Sequence, residues 1–255
     1  MKISFVIPAY NEEERIADCL DSIMHEVDRT RFDADIEIVV VNNASTDGTR
    51  AVALRYPGVR VVDELAKGLV KARARGFAAS TGELVANVDS DTIVPPGWTK
   101  KVIREFERDP NLVCLSGPLA YYDLSGREQF IAQLFQWFAL VVHLVFRTLR
   151  IGAQVQGGNF VLRRAAWEHA GGFDTTIDFY GEDADVGRRM IKQGKVKYSL
   201  SLPILSSGRR LAQEGMLAIG MRYALNYFWI MFTGRPHTQT SKHVRPPREQ
   251  IGTRV

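Results

Sequence analysis

The chain has 255 residues, of which 45% are hydrophobic and 24% are charged, so it can bury a full core and is not an intrinsically disordered chain. Its two cysteines, Cys19 and Cys114, provide neither a disulfide framework nor a zinc-ligand spacing. A strand pattern begins at Lys2 and no signal peptide is visible, so we expect a cytoplasmic protein.

The first hundred residues alternate short apolar runs with helical patterns. Strands are predicted at 3–7, 36–41, 59–62 and 83–88, and helices at 11–24, 47–55 and 68–80. Acidic residues at 12–14 suit the first turn of the first helix, and Ser45 or Asp47 could cap the second. Such alternation predicts an α/β fold whose parallel strands are joined by right-handed crossovers.

The remaining chain is predicted to add strands and several helices, some of them aromatic. Strands are expected at 113–119, 160–162 and 195–200, and helices at 98–107, 130–149, 163–170, 182–193 and 216–232. We predict a domain at 1–210, an amphipathic aromatic helix at 211–236 and a mobile basic tail at 237–255.

The helix at 130–149 is nearly continuous in apolar residues. Its length would just span a bilayer, but Gln133, Gln136, His143 and Arg147 interrupt it. We therefore expect a helix that packs on the protein core or lies in a membrane interface. The aromatic helices could instead form a homodimer interface.

The C-terminal residues are rich in basic side chains. A tail of this kind is usually solvated, although it can contact an anionic membrane surface. We expect peripheral contact with the inner face of a membrane as the alternative, and no nucleic-acid partner. The basic residues are Arg235, Lys242, Arg245, Arg248 and Arg254, against the single acid Glu249.

Two carboxylates, Asp89 and Asp91, follow the apolar strand at 83–88. Ligands of open α/β sheets collect at the carboxyl ends of strands, and two acids there can hold a hard divalent cation that also grips phosphate oxygens. The alternative is a polar loop, because a D-x-D pattern is only three residues long.

Other polar residues also follow predicted strands. Glu12 follows the first strand and Asn43 the second, so both should meet Asp89 and Asp91 at one edge of a parallel sheet. An amide and a carboxylate beside a metal site suit a nucleoside diphosphate. Lys67 and Arg73 could add positive charge there, although a single cation is more often solvated.

Five segments together resemble the motifs of family 2 glycosyltransferases. They are 6–13 (VIPAYNEE), 41–49 (VNNASTDGT), 88–91 (VDSD), 157–159 (GGN) and 181–183 (GED). The resemblance implies the GT-A fold, in which a Rossmann-like nucleotide-binding half is fused to an acceptor-binding half around a mixed, mostly parallel sheet with helices on both faces.

The resemblance also implies an activity. The expected reaction moves one sugar, with inversion, from a nucleoside-diphosphate sugar to an acceptor hydroxyl, with Mn²⁺ or Mg²⁺ as cofactor. A UDP sugar is favoured as donor, and the acceptor is a sugar, a lipid-linked sugar or a cell-envelope glycan.

Residue roles carried over by the resemblance fall into three sets. Asp183 is the general base, with helix capping as the alternative role for the Glu182-Asp183 pair. Asp91, with Asp89, is assigned to the metal, and Asp89 to the ribose side. The donor set is Pro8, Ala9, Tyr10, Glu12, Asn43, Lys67, Arg73, Asp89, Ser90 and Asp91, and the acceptor set is Gly157, Gly158, Asn159 and Glu182.

Two positions depart from the family pattern. The family often has Asp where Asn43 stands; an amide oxygen can still accept a hydrogen bond from a base. The Gln-x-x-Arg-Trp element of processive synthases is absent, and Ser206–Arg210 occupies its region, which favours single additions. Arg209 or Arg210 could then approach the diphosphate.

Three other classes of protein share some of these features. Asp89, Ser90, Asp91 and Thr92 also fit the D-x-D-x-T pattern of haloacid-dehalogenase-like phosphatases, but that pattern normally lies near the N-terminus. A nucleotidyltransferase would usually begin with a Gly-rich basic loop, which this chain lacks. A non-catalytic protein that binds sugar nucleotides or membranes is the non-enzyme alternative.

Overall fold

The computed structural model describes residues 1–30 and 34–238. Within these ranges the chain forms a seven-stranded and a three-stranded sheet. The strands are β1 (Lys2–Ala9), β2 (Asp35–Asn43), β3 (Val59–Glu64), β4 (Leu84–Val88), β5 (Thr92–Ile93), β6 (Leu112–Ser116), β7 (Leu119–Tyr121), β8 (Asn159–Arg163), β9 (Lys195–Tyr198) and β10 (Ile204–Ser206). The helices are α1 (Ile16–Thr30), α2 (Thr49–Ala53), α3 (Leu69–Ala79), α4 (Trp98–Arg108), α5 (Gly126–Thr148), α6 (Arg164–His169), α7 (Glu182–Met190), α8 (Arg209–Glu214) and α9 (Met216–Thr233).

The larger sheet has the strand order β3-β2-β1-β4-β8-β6-β9. Strand β1 pairs in parallel with β2 and β4, and β2 pairs in parallel with β3. Strand β8 runs antiparallel between β4 and β6, while β9 is parallel to β6. The sheet is therefore mixed and mostly parallel, as predicted, and the carboxyl ends of β1, β2 and β4 meet at one edge.

Helices cover both faces of the first four strands. Phe5 packs with Ile16 and Leu20 of α1 on one face, and Val6 packs with Ala72 of α3 on the other. Strands that are covered on both faces read as continuous apolar runs rather than as alternating patterns. This packing explains why β1, β2 and β4 were recognisable in the sequence.

The first helix begins later than predicted. The acids at 12–14 precede α1, which starts at Ile16. The backbone N–H of Glu12 donates to Thr49 Oγ1 over 2.7 Å, and that of Glu13 donates to Asp47 Oδ2 over 3.2 Å. These bonds hold the segment in a loop over the start of α2. Gly48, rather than Ser45 or Asp47, occupies the N-cap position of α2.

The small sheet was not predicted. It has the order β5-β10-β7, and each of its strands is two or three residues long, which is too short for a detectable period. The strand expected at 113–119 is divided into β6 and β7. Residue 210, where we predict the end of the domain, lies in α8.

Helix α5 has two unlike faces. It begins with a capping box of Ser125 and Glu128. Two of the polar residues that interrupt its apolar sequence face the protein: Gln136 Nε2 donates to Leu119 O over 2.5 Å, and His143 Nδ1 accepts from Gln154 N–H over 3.0 Å. Large apolar residues three and four positions apart cover the opposite, exposed face. They are Phe130, Leu134, Trp137, Val141, Leu144 and Val145.

Packing within the protein therefore accounts for one face of α5. Phe146 packs against Tyr227 and Phe228 of α9, with ring centroids 5.9 and 5.8 Å apart. Only 17% of the most apolar stretch of α5 is buried. In the described part of the chain, α5 is the one helix long and apolar enough to cross a membrane. The predicted tail at 237–255 lies outside the described residues, apart from His237 and Thr238.

Candidate active site

A cavity of about 680 Å³ lies at the carboxyl edge of β1, β2 and β4. It brings together residues that are up to about two hundred positions apart in sequence, as predicted from the parallel topology. Gly158 and Asn159 are the two predicted site residues that do not line it. The predicted residues that do line it are Pro8, Ala9, Tyr10, Glu12, Asn43, Lys67, Arg73, Asp89, Ser90, Asp91, Gly157, Glu182, Asp183, Arg209 and Arg210.

Asn43 shapes the loop that follows β3. Its Nδ2 donates to the carbonyl oxygens of Glu64 and Ala66 over 3.1 and 2.9 Å, and its Oδ1 accepts from Gly68 N–H over 2.9 Å. The amide oxygen that could have accepted from a nucleobase is thus already bonded to the backbone. The loop in turn places Lys67 Nζ 4.0 Å from the centre of the Tyr10 ring.

The carboxylates of Glu12 and Asp91 share the guanidinium group of Arg209 in the cavity. Arg209 Nη2 lies 3.0 Å from Asp91 Oδ2 and also contacts Glu12 Oε1. Burial raises the pKa of Asp91 to about 6, the Arg209 charge opposes that rise, and the neighbouring Asp89 and Glu12 carboxylates add to it. The guanidinium group of Arg209 therefore places a positive charge between the Asp91 and Glu12 carboxylates.

A buried arginine joins the first and second halves of the site. Arg73, on α3, is 1% exposed and donates to Asp89 Oδ1 over 2.9 Å and to Glu182 Oε1 over 2.5 Å. Burial raises the pKa of the Glu182 carboxyl, and the Arg73 charge opposes that rise. The Oε2 atom of Glu182 is buried without a hydrogen-bond partner among the described residues. Arg73 thus fixes the D-x-D loop relative to α7.

Asp183 is the more accessible member of the Glu182-Asp183 pair. Its Oδ1 accepts from Ala184 N–H over 2.8 Å, and its Oδ2 accepts from Gly157 N–H over 3.4 Å. Burial raises the pKa of Asp183, and these hydrogen bonds oppose the rise. A carboxylate with a raised pKa that lines a cavity has the properties of a general base.

Asn159 has a structural role instead of the predicted contact with an acceptor. It is fully buried, and its Nδ2 donates to the carbonyl oxygens of Pro118 and Leu202 over 3.0 and 2.9 Å. Gly158 has a positive φ of 77°, and a Cβ atom there would come within 2.4 Å of Asp89 Oδ2. Glycine is therefore needed at 158 because the loop approaches Asp89 closely.

One wall of the cavity is apolar, and the sequence did not predict it. Helices α5 and α9 form it, and the only sequence signal was that both helices are aromatic. Two polar atoms beside this wall, Tyr227 Oη and Arg210 Nη1, are buried and lack hydrogen-bond partners among the described residues. The wall residues include Phe135, Val142, Ile219, Gly220, Tyr223 and Tyr227.

The acidic residues of the site fit a divalent cation that is shared with a substrate. In residues 1–30 and 34–238, no group of three or more His, Cys, Asp or Glu is arranged to hold a metal ion. Mg²⁺ and Mn²⁺ are commonly held by one or two carboxylates together with substrate phosphates. Asp91 and Glu12 already share a cationic group, so they could hold such an ion once Arg209 moves aside.

The chain matches the family model described as "Glycosyl transferase family 2" over residues 4–170. Among relatives, the dolichol-phosphate mannosyltransferase of Pyrococcus furiosus is 30% identical over 116 residues, which are 44% of this chain and 32% of that protein. Three bacterial glycosyltransferases match more strongly. The matched segments span only 27–39% of their lengths, so this chain corresponds to a part of each of these proteins.

Solved structures share the fold of this chain. A mannosyltransferase of Pyrobaculum calidifontis, in complex with GDP-Man and Mn²⁺, superposes with a TM-score of 0.64 at 20% identity, over 89% of this chain and 62% of that one. Glucosyl-3-phosphoglycerate synthase of Mycobacterium tuberculosis, in complex with Mn²⁺, UDP and phosphoglyceric acid, gives 0.59 at 22% identity, over 90% and 78%. The predicted GT-A fold is confirmed.

Proposed function

This chain belongs to glycosyl transferase family 2, and we propose that it moves a single sugar, with inversion, from a nucleoside-diphosphate sugar to an acceptor hydroxyl. The observation that carries this proposal is that Asp91 and Asp183 line one cavity, with Arg73 linking their loops. Membership in the family excludes the phosphatase alternative for the D-x-D pattern.

The donor is proposed to bind along the edge formed by β1, β2 and β4. Tyr10 and the loop held by Asn43 would enclose the nucleoside, and Asp89 would meet the ribose. Asp91 and Glu12 would hold a divalent cation, which would neutralise the charge that develops on the leaving diphosphate. The two solved structures above contain Mn²⁺, which supports Mn²⁺ or Mg²⁺ as cofactor.

Asp183 is proposed to accept the proton of the acceptor hydroxyl. As that oxygen forms its bond to the anomeric carbon, the bond from this carbon to the diphosphate oxygen breaks, and the sugar passes through an oxocarbenium-like state. Attack from the face opposite the diphosphate inverts the anomeric carbon. Glu182 is held by Arg73, which favours Asp183 as the base and leaves Glu182 to orient the acceptor.

Turnover of a donor panel tests this function. We expect one sugar nucleotide to be hydrolysed slowly or transferred in the presence of Mn²⁺, with activity lost in EDTA and in Asp91→Ala. Asp18→Ala, which changes an exposed carboxylate of α1 outside the cavity, is the matched control. If the native protein turns over no donor but hydrolyses small phosphoesters, the proposal is wrong.

We also infer that the exposed face of α5 contacts a membrane. Aromatic and aliphatic side chains cover that face, and the exposed cations Arg127 and Arg150 lie at the two ends of the helix. Apolar residues flanked by cations suit the interface of an anionic bilayer. This placement would bring a lipid-linked or cell-envelope acceptor to the cavity from the cytoplasmic side.

Flotation with anionic liposomes checks this contact. The native protein is expected to float, and the double variant Trp137→Glu/Val141→Glu to remain with the soluble fraction. Leu65→Glu changes an even more exposed apolar residue away from α5 and should still float. A native protein that does not float, but forms a dimer that the double variant abolishes, would assign this face to a homodimer instead.

A further inference from the structure

The cavity is divided by chemistry rather than by shape. Its donor end is lined by carboxylates, amides and cations, as described above. Its other end lies between α5 and α9, where Phe135, Val142, Ile219, Gly220 and Phe228 line it together with the polar Gln136. We call this end the α5–α9 slot. A sugar acceptor alone would leave these apolar side chains in water, which is unfavourable.

Glycine at 220 determines how closely the two helices of the slot approach. A Cβ atom at this position would lie 2.6 Å from Cζ of Phe135. Any larger residue would therefore displace the Phe135 ring or fill the space beside it. The Phe135 ring of α5 therefore packs directly against the backbone of α9 at this point, and a side chain at 220 would change the shape of the slot.

The slot meets the polar end of the cavity at Tyr223 and Tyr227. Burial raises the pKa of both phenols, and the nearby Asp183 carboxylate raises them further. The two tyrosines and Asp183 line the same cavity. The hydroxyl of Tyr227 is buried and has no partner among the described residues, so it can donate a hydrogen bond to a ligand.

The two consecutive arginines serve different ends of the cavity. Arg209 contacts Asp91 and Glu12 at the donor end. Arg210 points elsewhere: its guanidinium lies 4.2 Å from the centre of the Phe179 ring, and its charge lowers the pKa of Tyr223. Arg210 is half-buried, its buried Nη1 atom has no partner in the described structure, and an unpaired donor on a cationic group favours an anionic ligand.

We propose that the acceptor is an anionic amphiphile. Its alkyl or isoprenyl chain lies in the α5–α9 slot, its phosphate contacts Arg210 and Tyr227, and the hydroxyl that receives the sugar reaches Asp183. This inference rests on the proposed function, and it names the class of the second substrate. It assigns Arg210 to the acceptor rather than to the donor diphosphate.

Direct binding of simple probes tests the inference without any donor. Isothermal titration of the full chain with dodecyl phosphate, below its critical micelle concentration, would be compared with butyl phosphate and with the neutral dodecyl maltoside. We expect dodecyl phosphate to bind at least about tenfold more tightly than butyl phosphate, because each buried methylene contributes a factor of about four. It should also bind more tightly than dodecyl maltoside, which has the same chain but no phosphate charge for Arg210.

Variants of the slot locate the binding. Gly220→Leu and Ala224→Leu should each weaken dodecyl phosphate binding about tenfold or more, and Arg210→Gln should remove the preference for the anionic probe. Met221→Leu, on the exposed face of α9, is the matched control. Thermal unfolding shows which variants are folded, and having two slot variants keeps the test valid if one does not fold.

The outcomes separate this inference from the proposed function. If the native protein turns over a donor but binds dodecyl phosphate no better than butyl phosphate, the inference is wrong and the function stands. Tight binding that neither folded slot variant weakens would also overturn it. If no donor is turned over, the proposed function fails, whereas the probe titrations still report on the slot.

Discussion

The two ends of the cavity differ in whether their charged groups are paired with one another; a buried polar atom without a partner in the described structure, Glu182 Oε2, also occurs beside Arg73. At the donor end, Asn43 bonds to three backbone groups, and Asp91 and Asp89 are paired with Arg209 and Arg73. At the other end, Tyr227 Oη and Arg210 Nη1 are buried without partners in the described structure. Beyond them, α5 exposes a continuous apolar face.

This difference indicates two kinds of binding. The donor end is organised by the protein itself, so its ligand meets groups that already hold one another in place. The α5–α9 end leaves polar atoms and apolar surface uncompensated, so a ligand or a membrane must complete it. The predictions below each separate one end from the other.

The largest effect is expected at Asp183. Changing Asp183 to Asn removes the proposed general base, so kcat for donor turnover should fall by about 10²–10⁴. The Kd for the nucleoside diphosphate should change little, because Asp183 is assigned to the acceptor side. Steady-state rates and titration of the diphosphate measure the two quantities. Asp174→Asn, which makes the same change outside the cavity, controls for the substitution.

The pH profile of kcat sharpens this test. A base must be deprotonated to act, so the rate should fall as the pH falls through the pKa of Asp183. Because burial raises that pKa, the acidic limb should lie above the ordinary range of an aspartate. The limb should disappear in Asp183→Asn. An unchanged profile in this variant would show that another group is the base.

The next largest effect is expected at Arg209. This side chain holds Asp91 and Glu12 in the free protein and is expected to turn to the diphosphate when the donor binds. Arg209→Gln should weaken diphosphate binding about ten- to hundredfold, the effect of a hydrogen bond to a charged group. Arg209→Lys should recover part of the affinity, and Arg50→Gln, an exposed ion-paired control, should have no effect. If Arg209→Gln binds the diphosphate as tightly as the native protein does, Arg209 has no role in donor binding.

The smallest effect is expected at Asn159, which lies outside the cavity. Asn159→Ala removes two buried hydrogen bonds and leaves Leu202 O without a donor among the described residues, while Pro118 O still accepts from Ile204 N–H, so the free energy of unfolding should fall by about 1–3 kcal/mol. Diphosphate affinity should not change. Chemical denaturation measures the free energy of unfolding and titration measures the diphosphate affinity. Asn111→Ala, at an exposed position, is the control. Full stability together with lost transfer would restore the acceptor role that the sequence suggested.

The sequence predicted which residues gather at the edge of β1, β2 and β4, because that edge depends on local patterns. Strands β1, β2 and β4 are buried on both faces, so their apolar runs and the polar residues that end them are visible in order. Parallel topology then brings Glu12, Asn43 and Asp91 to one edge. The five family motifs supplied the remaining assignments.

The other end depends on contacts that no local pattern encodes. Gln136 and His143 read as interruptions of a membrane-like helix, yet both hydrogen-bond on its inner face and leave the outer face apolar. Asn159 read as an acceptor contact because it lies in a motif, whereas its amide joins β8 to two loops. The different directions of Arg209 and Arg210 follow from α8, which is too short to predict.

The division between the two ends is tested most directly by titrating a nucleoside diphosphate, UDP first and then GDP, with Mn²⁺ and with EDTA. For the diphosphate that the native protein binds best, we expect Mn²⁺ to tighten binding. Asp91→Asn should abolish this dependence on Mn²⁺, and Asp183→Asn should preserve it. Dependence on Mn²⁺ that survives in Asp91→Asn, or is lost in Asp183→Asn, would contradict the assignment of the two carboxylates to separate substrates.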